Sequence, residues 1–288
     1  MIERTERSVS GTSIGTERSV SGTSTGTERS AGTDAGSVAV LRMAHGPVNA
    51  LDTALLRALA ETFTALASEP APGRGGGPAA VVLTGAGRAF SAGADLRRLL
   101  DGGAEYLREF LPALSEAYHA VFTFDRPVVA AVNGHAIAGG AVLACCADVR
   151  LMAEGGGRIG FPEIKVGVPF PRVPLEVVAH AVGPDVAARL VRGADTFPAS
   201  EARALGLVDE LVGPDELIDR AVARATELAT AIPADTFALT KAQLRRDAVD
   251  RIARYRDDED AQVAEVWARR QRDGWTARYL ADATGKGS

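Results

Sequence analysis

From Ser37 onward, short apolar runs rich in β-branched residues alternate with longer amphipathic stretches rich in alanine and leucine. Near-continuous apolar runs are typical of strands buried on both faces, and apolar positions at helical spacing are typical of helices packed on a sheet. The pattern predicts strands at residues 38–43, 79–84, 128–132 and 149–152. It predicts helices at residues 53–68, 105–124, 139–146, 175–181, 184–192 and 200–205. This alternation indicates an α/β fold for residues 37–213.

The two ends of the chain depart from this pattern. Residues 1–36 contain an 11-residue repeat, TERSVSGTSIG followed by TERSVSGTSTG and a degenerate third copy. The repeat has too few apolar residues for a hydrophobic face, so we expect a disordered tail over residues 1–36. Residues 214–288 have an almost entirely helical pattern and contain Trp267, Trp275 and Tyr279. Large aromatic side chains need a packing surface, which predicts a helical layer over the core or over a neighbouring subunit.

Composition narrows the class of protein. The chain has 288 residues, 46% hydrophobic and 24% charged, which excludes a cysteine-stapled miniprotein and a wholly disordered chain. A net charge of −5 argues against a nucleic-acid partner. The adjacent Cys145 and Cys146 lie in an apolar run and are predicted to be core residues rather than metal ligands.

The sequence also bears on location. The first 36 residues contain no apolar segment of the secretory type, so we expect a cytoplasmic protein. The uncharged stretch at residues 127–147 is interrupted by the turn residues Asn133, Gly134, Gly139 and Gly140. We therefore interpret it as a buried strand followed by a buried helix, not as a membrane span.

Two loops share one design, in which an apolar strand leads into a turn of small residues and then a helix. They are FSAGADL at residues 90–96 and NGHAIAGG at residues 133–140. Small residues let a ligand approach the backbone, and two N–H groups that converge on one oxygen form an oxyanion hole. Glycine-rich turns also occur for packing alone, so the two loops leave both interpretations open.

A third segment, GFPEIKVGVP at residues 160–169, places one acid, Glu163, in apolar surroundings. Burial raises the pKa of a carboxyl group and suits it to act as a general base near neutral pH. The alternative is a glutamate that caps a helix or forms an ion pair beside Pro162.

In their order and spacing, these segments resemble the crotonase superfamily, also called the enoyl-CoA hydratase/isomerase family. The resemblance covers residues 38–241 and includes PVNAL at 47–51, the strand PVVAAV before the second loop, GADTFPASEARALGLVDELV at 193–212 and ALTK at 238–241. It implies a spiral of β-β-α turns and a helical C-terminal region that forms homotrimers, often paired into homohexamers. It also implies an acyl-CoA thioester substrate and no metal or redox cofactor.

The resemblance also implies roles for particular residues. Ala94 and Gly139 would supply the two oxyanion N–H groups, and Glu163 would be the catalytic carboxylate. Arg97 is a candidate phosphate contact or a solvated helix residue, and Asp95 is expected to hold its loop by backbone hydrogen bonds. The residues implied to border the substrate are Asn49, Ala50, Leu51, Ala92, Asp95, Leu96, Arg97, Gly140, Val142 and Phe170.

One position departs from the pattern of the family's hydratases, which use two glutamates. The first would lie three residues after Gly139, where this chain has Val142. Valine can neither activate water nor donate a proton. The resemblance therefore favours the single-glutamate Δ3,Δ2-enoyl-CoA isomerases, a likeness that the loop around Phe170 shares. Hydration or another enolate reaction (decarboxylation, thioester hydrolysis) stays open as an alternative, as does a catalytically weak CoA-ester-binding or scaffold protein.

Overall fold

The computed structural model describes residues 1–8, 36–70 and 76–283. Its described strands form two β-sheets. The strands are β1 (Ile2–Ser8), β2 (Ser37–Met43), β3 (Ala80–Gly85), β4 (Ala89–Ser91), β5 (Val128–Val132), β6 (His135–Ile137), β7 (Val149–Ala153), β8 (Arg158–Gly160), β9 (Thr196–Pro198) and β10 (Glu210–Val212). The helices are α1 (Thr53–Ser68), α2 (Leu96–Thr123), α3 (Gly139–Cys145), α4 (Glu163–Val166), α5 (Arg172–Val182), α6 (Pro184–Gly193), α7 (Ala199–Ala204), α8 (Leu217–Ala231), α9 (Ala234–Arg272) and α10 (Trp275–Ala283).

The larger sheet has the strand order β1-β2-β3-β5-β7-β10. Neighbours from β2 to β10 are parallel, and every residue of β3 and β5 is buried. Burial on both faces explains the continuous apolar runs of these strands. The four predicted strands and six predicted helices are confirmed. Helix α2 is broken at Gly103, where φ is 58° and ψ is −148°, so the helix predicted from residue 105 is its second part, and the short first part, which Asp95 caps, was not predicted.

The smaller sheet, β4-β6-β8-β9, determines where the loops meet. Each of three successive chain turns contributes one strand to each sheet and then a helix, in the orders β3-β4-α2, β5-β6-α3 and β7-β8-α4. This arrangement confirms the predicted spiral of β-β-α turns. Because β4, β6 and β8 are parallel neighbours, their carboxyl ends lie at one edge of the sheet. Ala94, Gly139 and Glu163 follow these three ends.

Strand β1 corrects the prediction for the first residues. Ile2–Ser8 pairs antiparallel with β2 along its whole length, from Ile2 opposite Met43 to Ser8 opposite Ser37. The expectation of a disordered tail over residues 1–36 is therefore wrong for residues 1–8. Edge pairing depends on backbone hydrogen bonds and needs no hydrophobic face, which is why the polar sequence gave no signal. Residues 9–35, with most of the repeat, lie outside the described residues.

Beyond Pro214, the described elements are helical, as predicted. Helix α8 covers the outer face of the larger sheet with Leu217, Ala221 and Ala225. A buried ion cluster fixes α9 to the core: Lys241 Nζ and Arg245 Nη2 lie 2.7 and 2.8 Å from the two carboxylate oxygens of Asp148. No helix within the described ranges is both long and apolar enough to cross a membrane.

Candidate active site

The three loop ends surround a cavity of about 130 Å³. Seven residues predicted for the site line it: Ala92, Ala94, Leu96, Gly139, Val142, Glu163 and Phe170. The remaining wall is mostly apolar and comes from α2, from the segment after α4 and from the C-terminal helices. The structure thus brings the two small-residue loops and the isolated glutamate of the sequence to one place.

Two residues that line this cavity, Ala94 and Gly139, have backbone N–H groups without an acceptor among the described residues. Leu51 N donates to Gly93 O and Asp95 N donates to Leu51 O, at 2.8 and 2.9 Å, a pattern that leaves the Ala94 N–H unused. The N–H of Gly139, the first residue of α3, likewise has no acceptor in the part of the chain that the structure describes. Two free donors that line one cavity are the requirement for binding a negatively charged oxygen.

Gly93 permits the close approach of these two loops. Its φ is +81°, and a β-carbon there would lie 2.6 Å from Ile137 O and 3.2 Å from Gly139 N. A side chain at this position would therefore separate the Ala94 and Gly139 loops. The glycine of the SAGAD segment is required both by conformation and by space.

Glu163 is the acid of the cavity. The residue as a whole is half-buried, but its Oε2 is inaccessible to solvent and has no hydrogen-bond partner among the described residues. Burial raises the pKa of the Glu163 carboxyl to about 8, and its own backbone N–H offsets this only in part. Such a group can both accept and release a proton near neutral pH.

Val142 is the position at which the resemblance predicts the first glutamate of a hydratase. It lies one helical turn beyond Gly139, is 1% exposed and lines the cavity as predicted. Among the lining residues, Glu163 is the one carboxylic acid, and the other titratable side chains are Tyr118 and Tyr279. Within the described ranges, the cavity therefore offers a single carboxylate.

The C-terminal helices close one side of this cavity. Trp267 and Tyr279 line it, and Trp267 Nε1 donates to Pro169 O at 2.9 Å. Trp275 Nε1 donates to Lys165 O at 3.1 Å, which attaches α10 to the helix that carries Glu163. The predicted helical layer thus packs over the chain's own core.

The other predicted residues do not line the cavity but support the loops that do. Asn49 is buried and its amide donates to Ala89 O at 3.0 Å, while Leu51 bridges to Ala94. Asp95 accepts from the N–H groups of Arg97 and Arg98 at 3.1 Å, as predicted. The others are the half-buried Ala50, the exposed Arg97 and Gly140, which packs on Ser91. Contacts of these residues with the CoA part of a substrate stay predictions.

Tyr118, on α2, is a cavity residue that the sequence analysis did not identify. Its hydroxyl donates to Gly139 O at 2.8 Å. An apolar helix face predicts burial but not which side chain reaches into a neighbouring loop, so no sequence signal distinguishes Tyr118 from Phe110 or Phe122.

Comparison with known proteins identifies the family to which the chain is similar. Residues 33–279 match the enoyl-CoA hydratase/isomerase family. A putative enoyl-CoA hydratase of Thermus thermophilus is 42% identical over 168 residues, 57% of this chain and 65% of that protein. A crotonyl-CoA hydratase of Syntrophomonas wolfei is 33% identical over 59% of this chain and 64% of its own. These two alignments thus span slightly less than two thirds of each relative.

Longer alignments agree with these matches. A probable enoyl-CoA hydratase of Rhizobium meliloti is 33% identical over 71% of this chain and 74% of that protein. Human mitochondrial Δ3-Δ2-enoyl-CoA isomerase superposes with a TM-score of 0.79 at 25% identity, over 88% of this chain and 96% of its own. An enoyl-CoA hydratase of Mycobacterium ulcerans has a TM-score of 0.69 at 30% identity, over 78% and 94%. The chain belongs to the enoyl-CoA hydratase/isomerase family of the crotonase superfamily.

Proposed function

We propose that this protein moves a carbon–carbon double bond in an enoyl-CoA thioester from position 3 to position 2. The observation that carries the proposal is that Glu163 is the one carboxylic acid among the described residues that line the cavity. Val142, where the resemblance predicts a second acid, also lines it. Hydration adds water across a double bond and needs a group that holds the water. Isomerisation only relocates one proton, and one carboxyl group can do this.

The reaction follows from the placement of three groups. The Glu163 carboxylate removes a proton from C2 of a 3-enoyl-CoA, and the electron pair delocalises over C2 to C4 and onto the thioester oxygen. The N–H groups of Ala94 and Gly139 donate to that oxygen and stabilise its negative charge. The protonated Glu163 then returns the proton at C4, which leaves the double bond between C2 and C3. Neither a metal ion nor a redox cofactor takes part, and coenzyme A is part of the substrate.

The apolar wall supports this chemistry. Val142, Val166 and Val168 surround the cavity, so the charge on Glu163 lacks solvation and its pKa lies at about 8. A carboxylate with a higher pKa is a stronger base. Its pKa is closer to that of the C2–H group of the substrate, so the proton transfer from C2 costs less free energy.

The test compares purified wild type with Glu163→Gln on 3-enoyl-CoA and 2-enoyl-CoA substrates of several lengths, with chromatographic product analysis. We expect wild type to convert 3-enoyl-CoA to 2-enoyl-CoA, and the variant to lose about a thousandfold in kcat while still binding the thioester. Glu105→Gln, at an exposed position of α2, is the matched control and should leave turnover unchanged. Near-wild-type isomerisation by Glu163→Gln would contradict the proposal.

Hydration is the second candidate, because several relatives are named as hydratases. It requires a second water-activating group in place of Val142. Hydration of crotonyl-CoA by wild type, abolished in Glu163→Gln, would favour this candidate over isomerisation. The proposal also includes that the enzyme is cytoplasmic and forms a homotrimer or homohexamer. Light scattering, which measures the mass of the protein in solution, tests the oligomeric state.

A further inference from the structure

The backbone next to one oxyanion donor has a conformation that its residue type rarely adopts. Ala138 has φ 51° and ψ −123°, and it immediately precedes Gly139. In the described residues, the non-glycine positions with positive φ are Asn49, Ala138 and Ala194. A β-carbon disfavours this region, so other contacts must hold the peptide that carries the Gly139 N–H.

The peptide itself is held through its carbonyl, because Ala138 O accepts from Ala141 N and Val142 N at 2.8 and 3.1 Å. Two further hydrogen bonds lie on either side of it: Ala138 N donates to Gly160 O at 2.8 Å, and the Tyr118 hydroxyl donates to Gly139 O at 2.8 Å. The residue that caps α3, Ala138, offers no side-chain hydrogen bond. In the part of the chain that the structure describes, the Tyr118 hydroxyl is therefore the side-chain group that forms a hydrogen bond with the Gly139 backbone.

Tyr118 also restricts the space around Gly139. A β-carbon at Gly139 would lie 2.6 Å from Tyr118 Oη and 2.9 Å from Leu51 Cδ1. Tyr118 is itself fully buried in α2, so its ring cannot move away without disturbing the core. The hydroxyl is thus a rigid stop as well as a donor.

Tyr118 is not suited to be an acid or base, although it shares the cavity with Glu163. Its proton is committed to Gly139 O, and burial raises the pKa of the hydroxyl well above its ordinary value. It acts through Gly139 rather than on a substrate.

We infer that Tyr118 is a positioning residue that keeps the Gly139 N–H directed at the thioester oxygen by holding the adjacent carbonyl against the unfavourable backbone of Ala138. The inference rests on the oxyanion role of Gly139 in the proposed function. It does not depend on whether the reaction is isomerisation or hydration.

The test is Tyr118→Phe, which removes one oxygen atom and keeps the ring. Butyryl-CoA labelled with carbon-13 at the thioester carbonyl is saturated and cannot isomerise, so its infrared carbonyl stretch reports the hydrogen bonds to the oxygen in the bound state. We expect wild type to lower this frequency relative to water and Tyr118→Phe to lower it less. In the turnover assay, kcat should fall about tenfold, with KM within about twofold.

Tyr106→Phe is the matched control. Tyr106 lies on the same helix, and its hydroxyl accepts a hydrogen bond from Thr53 N at 3.1 Å, but it does not line the cavity. Its replacement removes the same atom and should change neither the carbonyl frequency nor kcat. An unchanged carbonyl frequency in folded Tyr118→Phe would overturn the inference.

Two further arms keep the result interpretable. If thermal unfolding shows that Tyr118→Phe does not fold, 3-fluorotyrosine at position 118 replaces it, because fluorine makes the hydroxyl a stronger donor at nearly the same size. That protein should enlarge the carbonyl shift, and an unchanged shift would contradict the inference. If Glu163→Gln retains turnover, the proposed function fails, but the carbonyl frequency still tests Tyr118.

Discussion

Replacing Glu163 with glutamine should stabilise the protein, and the gain should grow as the pH rises. The physical reason is that the carboxylate has an inaccessible, unpartnered oxygen in an apolar cavity. Burial moves the pKa of this group from its ordinary 4.5 to about 8. A buried charge without a partner destabilises the folded state relative to the unfolded chain. Glutamine has nearly the same shape and never ionises.

The magnitude follows from the pKa difference between the two states. The pKa of Glu163 is higher in the folded state than in the unfolded chain. The free energy of unfolding of wild type is therefore highest below the unfolded pKa and falls as the pH rises towards about 8. At about 1.4 kcal/mol for each pKa unit, the loss is about 1 kcal/mol at pH ~5 and about 3 kcal/mol at pH ~7. It approaches about 5 kcal/mol above pH ~8.5. These are upper values, since part of the residue faces the open cavity and solvent screens it there.

Urea unfolding of wild type, Glu163→Gln and Glu105→Gln at several pH values measures this effect. A buried amide has its own cost, but that cost does not change with pH, so the diagnostic quantity is the slope. The free energy of unfolding of Glu163→Gln minus that of wild type should increase by about 2 kcal/mol between pH ~5 and ~7. Glu105→Gln, on the exposed surface of α2, should follow wild type within about 0.5 kcal/mol. If the free energies of unfolding of Glu163→Gln and wild type changed with pH in parallel, the conclusion that burial raises the pKa of the Glu163 carboxyl would be refuted.

Four further expectations concern other parts of the molecule. The kcat/KM of isomerisation should rise with pH and level off above about 8, because Glu163 must be unprotonated to accept a proton; a flat profile would contradict this. Val142→Glu should give weak hydration of crotonyl-CoA and slower isomerisation, both read by product analysis, since the apolar wall does not solvate a second charge. Asp148→Asn should lower the free energy of urea unfolding by about 3 kcal/mol by leaving Lys241 and Arg245 unpaired, whereas Asp195→Asn, in an exposed pair with Lys165, should lower it by less than about 1 kcal/mol. Deleting residues 1–8 should increase aggregation in light scattering by exposing the edge of β2, and unchanged scattering would show that β1 does not protect that edge.

The sequence predicts those parts of the fold that depend on hydrophobic burial. The strand Val128–Val132 has five buried residues and a continuous apolar sequence, so its position and type are evident. Glu163 is recognisable because a lone acid in an apolar segment is unusual. Gly93 is recognisable as a turn residue, although only the structure shows that a side chain there would meet Ile137 O.

Strand β1 and the role of Tyr118 could not be predicted from the sequence, because both depend on contacts between segments that are distant in the chain. Strand β1 is held by backbone pairing with β2, and six of its seven residues are exposed, so a polar sequence forms a strand without a hydrophobic signal. Tyr118 belongs to the same buried face of α2 as Phe110 and Phe122. Its hydroxyl reaches Gly139 only because the spiral places α3 beside α2, which is a property of the tertiary arrangement.

The apolar cavity links the chemistry of Glu163 to its effect on stability. Since Val142 cannot share a proton or solvate a charge, desolvation is the main influence on the pKa of Glu163. In isomerisation, the group that removes the proton must also return it, so a pKa near the working pH favours both half-reactions. The same apolar wall that should make the carboxylate costly to the fold therefore makes one carboxyl group sufficient for the proposed reaction.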